Sequence, residues 1–221
     1  MVTGVNVERA ETDRTYYTSR GFDIKAMRVD GLGLPNIWGV YAGQIDTAVY
    51  DSIEVVRGAN GLLTGTGNPS GTVNYIRKRP TGQSRAFAEL SAGSHDRYRM
   101  EADVDLALAQ DGSWGLRVAG AAQTAGSYLR DYANDRTVIQ GVLSGKLAEG
   151  LELVLGYTRQ DGHADSPLWG ALPLLYADGT PTDFPAGTST SQDWSYWNTH
   201  DATAFAEIHL DLAPDWTLST T

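Results

Sequence analysis

The chain has 221 residues, and 27 acidic against 17 basic side chains leave a net charge of −10, which opposes a nucleic-acid binder because phosphate recognition needs a basic face. It has no cysteine, so a disulfide scaffold, a thiolate metal site and a cysteine nucleophile are all excluded. No apolar run approaches the roughly 18 residues of a membrane helix, but a membrane β-barrel stays open, because its strands carry their hydrophobicity in alternation.

Residues 1–80 contain short β-like runs broken by glycine clusters. Ile53–Val56 and Thr72–Ile76 read as strands, and Val40–Tyr50 can hold a short helix. The pattern becomes regular after Pro80. From Arg97 to Leu108 the odd positions are charged or small (Arg97, Arg99, Glu101, Asp103, Asp105, Ala107), while the even ones are apolar (Tyr98, Met100, Ala102, Val104, Leu106, Leu108). The runs 114–124 and 202–212 repeat this alternation, with weaker copies at 85–93, 137–147 and 151–159. Gln110–Ser113, Ala148–Gly150 and Pro214–Asp215 read as tight turns. The intervening connections, at Ser94–Asp96, Tyr128–Asp135 and His163–Asn198, are mostly longer.

A soluble β-sandwich also alternates. These runs are about 10–13 residues long against a usual mode of about 5–6, their polar faces mix Arg, Glu and Asp, and their connections are asymmetric. That combination predicts transmembrane barrel strands. Tyr98, Met100, Val104, Leu106, Trp114, Leu116, Val118, Ile208 and Leu210 should face lipid, with Arg97, Arg99, Glu101, Asp103, Arg117, Glu207 and His209 facing inward. Met1–Val5 has neither a basic start nor an apolar stretch of signal-peptide type, so the expectation is a piece of a longer protein.

The most specific stretch runs from Tyr50 to Pro80 and contains Arg57-Gly58-Ala59-Asn60-Gly61 and Gly65-Thr66-Gly67-Asn68-Pro69-Ser70-Gly71. It is not a dinucleotide fingerprint: Ser70 stands where the third glycine belongs, and Pro69 and the β-branched run after it oppose a helix. No Gly-Lys-Ser/Thr follows, so it is not a phosphate loop either. The string resembles the end of the plug domain of TonB-dependent outer-membrane receptors, in their siderophore-receptor branch. Tyr17-Thr18-Ser19-Arg20-Gly21-Phe22 and Val29-Asp30-Gly31 are similar to two further plug motifs.

The resemblance implies a mainly β fold: a mixed plug segment over 1–80, then antiparallel strands of a transmembrane β-barrel over 81–221. The family barrel has 22 strands. At roughly 20 residues per strand and turn it needs over 400 residues, against about 140 here. The implied role is binding ferric siderophores outside the cell and importing them, with outer-membrane lipid and TonB as partners. TonB would be met through a segment missing from this chain. The ligand is the iron–siderophore complex, and no cofactor is implied. A receptor for cobalamin, haem or a glycan is the nearest rival, and a signal-transducing siderophore receptor another.

The resemblance also places ligand contacts at plug loop apices, here Arg20 and the Gly33–Gly43 loop. Trp38 and Tyr41 would supply aromatic surface there, and Arg20 and Asn36 polar groups. It pairs Glu54 and Arg57 with the charged barrel wall, and puts Arg77-Lys78-Arg79 where the plug turns into the first strand. His95, His163, His200 and His209 lack metal-ligand spacing, and no catalytic motif is present; neither a metal site nor an enzyme is expected.

Overall fold

The structure is a computed structural model that describes residues 3–9, 11–34, 41–58, 70–214 and 216–221, with Tyr41 and Ala42 described by their backbone. Two small sheets form the amino-terminal part. β1 (Asn6–Arg9), β2 (Arg14–Ser19) and β3 (Phe22–Asp23) are an antiparallel meander. Arg20 and Gly21 join the last two with φ of 55° and 80°. Two consecutive left-handed residues make the turn whose twist matches paired strands, hence the Arg-Gly sequence. Asp30 and Gly31 repeat it at 48° and 82°, joining β4 (Ala26–Val29) to β5 (Leu32–Gly33). β6 (Tyr41–Ala42) pairs with the start of β2, Thr15 opposite Tyr41.

The second sheet has the order β5-β4-β8-β7, where β7 is Tyr50–Arg57 and β8 is Gly71–Arg77. β4 and β8 run parallel. Ile24, Met27, Val29, Val73 and Tyr75 form the buried core of this part. The strands expected at 53–56 and 72–76 lie within β7 and β8. The short helix expected in Val40–Tyr50 is a 3-10 turn over Thr47–Val49, capped by the Asp46 carboxylate on the Ala48 amide.

A seven-stranded antiparallel meander follows in sequence order: β9 (Arg85–Gly93), β10 (Arg97–Ala107), β11 (Trp114–Gly126), β12 (Ala133–Ala148), β13 (Leu151–Asp165), β14 (Tyr196–Ala213) and β15 (Trp216–Thr220). The register puts Val104 opposite Val118, Leu106 opposite Leu116 and Leu153 opposite Ile208 on one face. Arg99, Asp103, Arg117 and Glu207 occupy the other, which contacts the amino-terminal part. The face assignments expected from alternation therefore hold at these positions. Two-residue links follow β12 and β14, and the longest connection, 166–195, follows β13; the links after β9, β10 and β11 are all short, so the expected asymmetry rests on the one long connection.

β12, β13 and β14 have 16, 15 and 18 residues, more than the alternation suggested. On β13 the outward positions run Leu151, Leu153, Leu155, Tyr157, then Arg159, Asp161, His163 and Asp165. The backbone ladder continues past the point where the outward face stops being apolar, so hydrophobic period alone ends the strand too early.

Candidate functional site

The amino-terminal part seats on the wall at two ionic clusters. In the first, Asp46 is 2% exposed and accepts hydrogen bonds from Arg99 of β10 at 2.8 Å and Arg136 of β12 at 2.9 Å. Burial pushes this carboxyl up, but the Arg99 guanidinium, the Ala48 amide and Arg136 outweigh it and hold it well below the usual carboxylate range. The Asp46 amide donates to Gln160 Oε1 at 2.8 Å, and Gln160 Nε2 donates to the Gln44 carbonyl at 2.7 Å. Ala48 and Val49 then pack on Ala121 and Val138 of the wall.

The second cluster has the opposite polarity. Lys78 meets Asp103 at 2.9 Å, and Arg79 meets Glu207 at 2.7 Å. Asp30, in the turn after β4, takes both Arg77 and Arg79. Arg117 donates to Asp103 and to the Arg79 carbonyl. The Arg77 guanidinium lies 4.2 Å over the Phe205 ring of β14.

At the loop end of the wall, the connection 166–195 closes on itself. The Ser166 amide donates to the Ser195 carbonyl at 2.8 Å, and Ser191 Oγ to the Pro167 carbonyl at 3.0 Å. It encloses a cleft of about 460 Å³ lined by Trp169, Trp194, Tyr196 and Trp197 with Pro167, Thr190, Ser191, Gln192 and Ser195. Trp169 and Trp197 are 4.8 Å apart at their centroids. Among the described residues no Asp, Glu, His, Lys or Arg lines the cleft, which offers π faces, hydroxyls and an amide. Such a surface takes a bulky ligand with flat, oxygen-rich groups.

The amino-terminal part reaches this loop through Glu11–Arg14. The Leu168 amide donates to Thr12 Oγ1 at 3.0 Å, and Tyr132 Oη donates to Asp13 Oδ1 at 3.0 Å. Burial, with Asp13 alongside, pushes the Tyr132 phenol up. Arg14 pairs with Glu11 and places its guanidinium 4.5 Å over Trp169.

Comparison with known proteins accounts for this architecture. Residues 1–72 match the TonB-dependent Receptor Plug Domain family. The chain is 35% identical over 217 residues to the ferripyoverdine receptor of Pseudomonas aeruginosa, covering 96% of the chain and 27% of that receptor. It is 34% identical over 201 residues to the ferric-pyoverdine BN7/BN8 receptor of Pseudomonas putida, covering 90% and 24%. A solved structure of P. aeruginosa FpvA bound to a heterologous pyoverdine and iron superposes with a TM-score of 0.90 at 34% identity, over 97% of this chain and 29% of that one. The chain belongs to the TonB-dependent receptors. It spans about a quarter of the length of the two receptors it matches.

In receptor terms, the two small sheets are plug and the meander is barrel wall. Of the plug residues expected at a ligand, Asn36 and Trp38 lie outside the described residues. Tyr41 pairs through its backbone with Thr15, next to Arg14. Arg20 lies away from Tyr41 and Arg14: it is exposed in the turn at the other end of β2, about 20 Å along the chain from Arg14 at roughly 3.3 Å per residue. The plug cation that the structure brings to the outer loop is Arg14.

Glu54 and Arg57 were expected against the wall, and among the described contacts neither reaches the seven wall strands of this chain. Glu54 accepts from Asn74 at 3.2 Å and Arg57 donates to the Thr3 carbonyl at 2.8 Å, all exposed. β7 is the edge strand of its sheet, and only its beginning, after the 47–49 turn, meets these wall strands. The contact belongs instead to Asp46, Lys78 and Arg79. Asp46 carried a signal that sequence reasoning passed over: an Asp two residues before an Ala-Val pair has the form of a cap, and Arg99 already stood among the inward positions. The Glu11-Thr12-Asp13-Arg14 run carried none beyond its polarity.

Proposed function

We propose that the chain is part of an outer-membrane receptor that binds ferric siderophores outside the cell and imports them in a TonB-dependent way. Its work is binding and transport rather than catalysis. The observation that carries the reading is the uncharged aromatic cleft at the loop end of a plugged wall, in a chain that matches ferripyoverdine receptors over nearly its whole length. Ferric chelates of siderophores present broad, oxygen-rich surfaces, and stacked Trp faces with hydroxyl donors complement them without a protein ligand to iron. Asn36, Trp38 and Tyr41, on the plug stretch between β5 and β6, are the proposed plug contribution to the same site. Lipid meets the outward Leu and Tyr positions, and TonB engages the plug from the periplasm.

The test is equilibrium binding to the complete receptor in detergent. Ferripyoverdine should bind saturably, Trp197→Ala should weaken it by about 1–3 kcal/mol, and Arg20→Ala should leave it unchanged. A receptor that ignores ferric siderophores but binds cobalamin or haem would overturn the substrate class.

A further inference from the structure

We propose that Arg14 is a positioning residue for the aromatic cleft, fixing Trp169 from the plug side so that the shape of the cleft depends on where the plug sits. This rests on the reading of the cleft as the siderophore site. Arg14 does not line the cleft. Its charge is held by Glu11 and its flat guanidinium covers the Trp169 ring at 4.5 Å, while the Trp197 ring stands 4.8 Å from Trp169 between centroids. Trp169 therefore contacts one group from the plug and one from the wall.

The backbone that carries Arg14 is pinned. Thr12 and Asp13 are 6% and 5% exposed. Thr12 receives the Leu168 amide and Asp13 the Tyr132 hydroxyl, with the Asn134 side chain at 3.4 Å. Thr12 and Arg14 thus hold Leu168 and Trp169, while Asp13 ties the same plug turn to Tyr132 and Asn134. Arg14 begins β2, so a shift of the first plug sheet withdraws the guanidinium and frees the indole. Coupling between two sites is reciprocal in binding free energy: a plug that shapes the cleft is a plug whose seat the bound ligand shifts. The same contact that orders the cleft with the plug seated weakens its hold on ligand once the plug moves.

The test uses the complete receptor, with ferripyoverdine as probe and 5-fluorotryptophan incorporated, the Trp169 line being assigned through Trp169→Phe. Arg14→Ala should move the Trp169 fluorine resonance without ligand, leave the Trp114 and Trp216 lines in place, and weaken ferripyoverdine by about 3- to 10-fold, between the ranges of an exposed and a desolvated cation–π contact. Arg14→Lys should recover only part of the affinity, since an ammonium keeps the charge but not the stacking plane. In a Trp169→Ala background, Arg14→Ala should change affinity less than about two-fold, because a residue acting through Trp169 has nothing left to position. An unmoved Trp169 resonance, or an equal loss in both backgrounds, would overturn the proposal. If the wild type takes up no ferripyoverdine, the substrate reading fails, and the fluorine shift still decides whether Arg14 positions Trp169.

Discussion

Asp46 is the plug residue whose loss should loosen the seat most. Replacing it with alanine leaves Arg99 and Arg136 facing each other with side chains only 14% and 11% exposed. Removing one partner of a buried ionic group costs about 3–5 kcal/mol. Here the lower end applies: Arg99 keeps Glu101 at 2.9 Å and Arg136 keeps Gln44 at 2.7 Å. Losing the cap on Ala48 adds about 1 kcal/mol. The seam can be read directly through Val49, which is 1% exposed and packs on Ala121 and Val138. Since the chain has no cysteine of its own, a Val49→Cys thiol reports each opening by its rate of labelling. With opening faster than labelling, the resulting loss of about 4 kcal/mol corresponds to labelling roughly a thousandfold faster in Asp46→Ala. Asp46→Asn, which keeps an acceptor for the Ala48 amide but not the charge, should fall between. Rates within about threefold of wild type in the alanine variant would refute the idea that this pair of arginines holds the plug.

The same carboxylate sets a pH dependence. Its folded pKa is depressed, so its contribution is complete above the unfolded value of about 4 and is lost as pH falls below that towards the folded value. The stability gap between wild type and Asp46→Asn, from thermal unfolding followed by circular dichroism, should be flat at neutral pH and narrow below about pH 4. Gly156 lies under the Phe205 ring, so a Cβ there would strike the ring edge. Gly156→Val should displace Phe205 from Arg77 and cost about 1–3 kcal/mol in urea unfolding, whereas Gly141→Ala, with open space around its Cβ position, should be nearly silent.

The wall was legible in the sequence because lipid on one side and charge on the other impose a strict period of two, as in Tyr98–Leu108 on β10. Legibility ended where the environment became polar on both faces: β13 runs on through Arg159–Asp165 with no hydrophobic signal, held by its ladder alone. In the plug, the Arg20-Gly21 and Asp30-Gly31 pairs marked their turns through backbone conformation. Long-range pairing was less visible, because the parallel contact of β4 with β8 joins segments more than 40 residues apart. The site was half legible. The longest connection, His163–Asn198, was visible as a loop, but Arg14 looked like any surface cation until Trp169 was placed beneath it, and Arg20 drew attention through a motif whose demand is a turn.

The two ionic clusters also bear on assembly. At one, the plug presents an acid to two wall arginines; at the other, it presents Lys78 and Arg79 to two wall acids, Asp103 and Glu207. A plug slid along the inner surface until one cluster reached the other's partners would set carboxylate against carboxylate, or guanidinium against guanidinium, in a space with little water to screen them. Apolar packing between small residues such as Ala48 and Ala121 could tolerate such a slip. The alternating signs cannot, so the wall accepts its insert at one height only, much as a keyed connector refuses reversal.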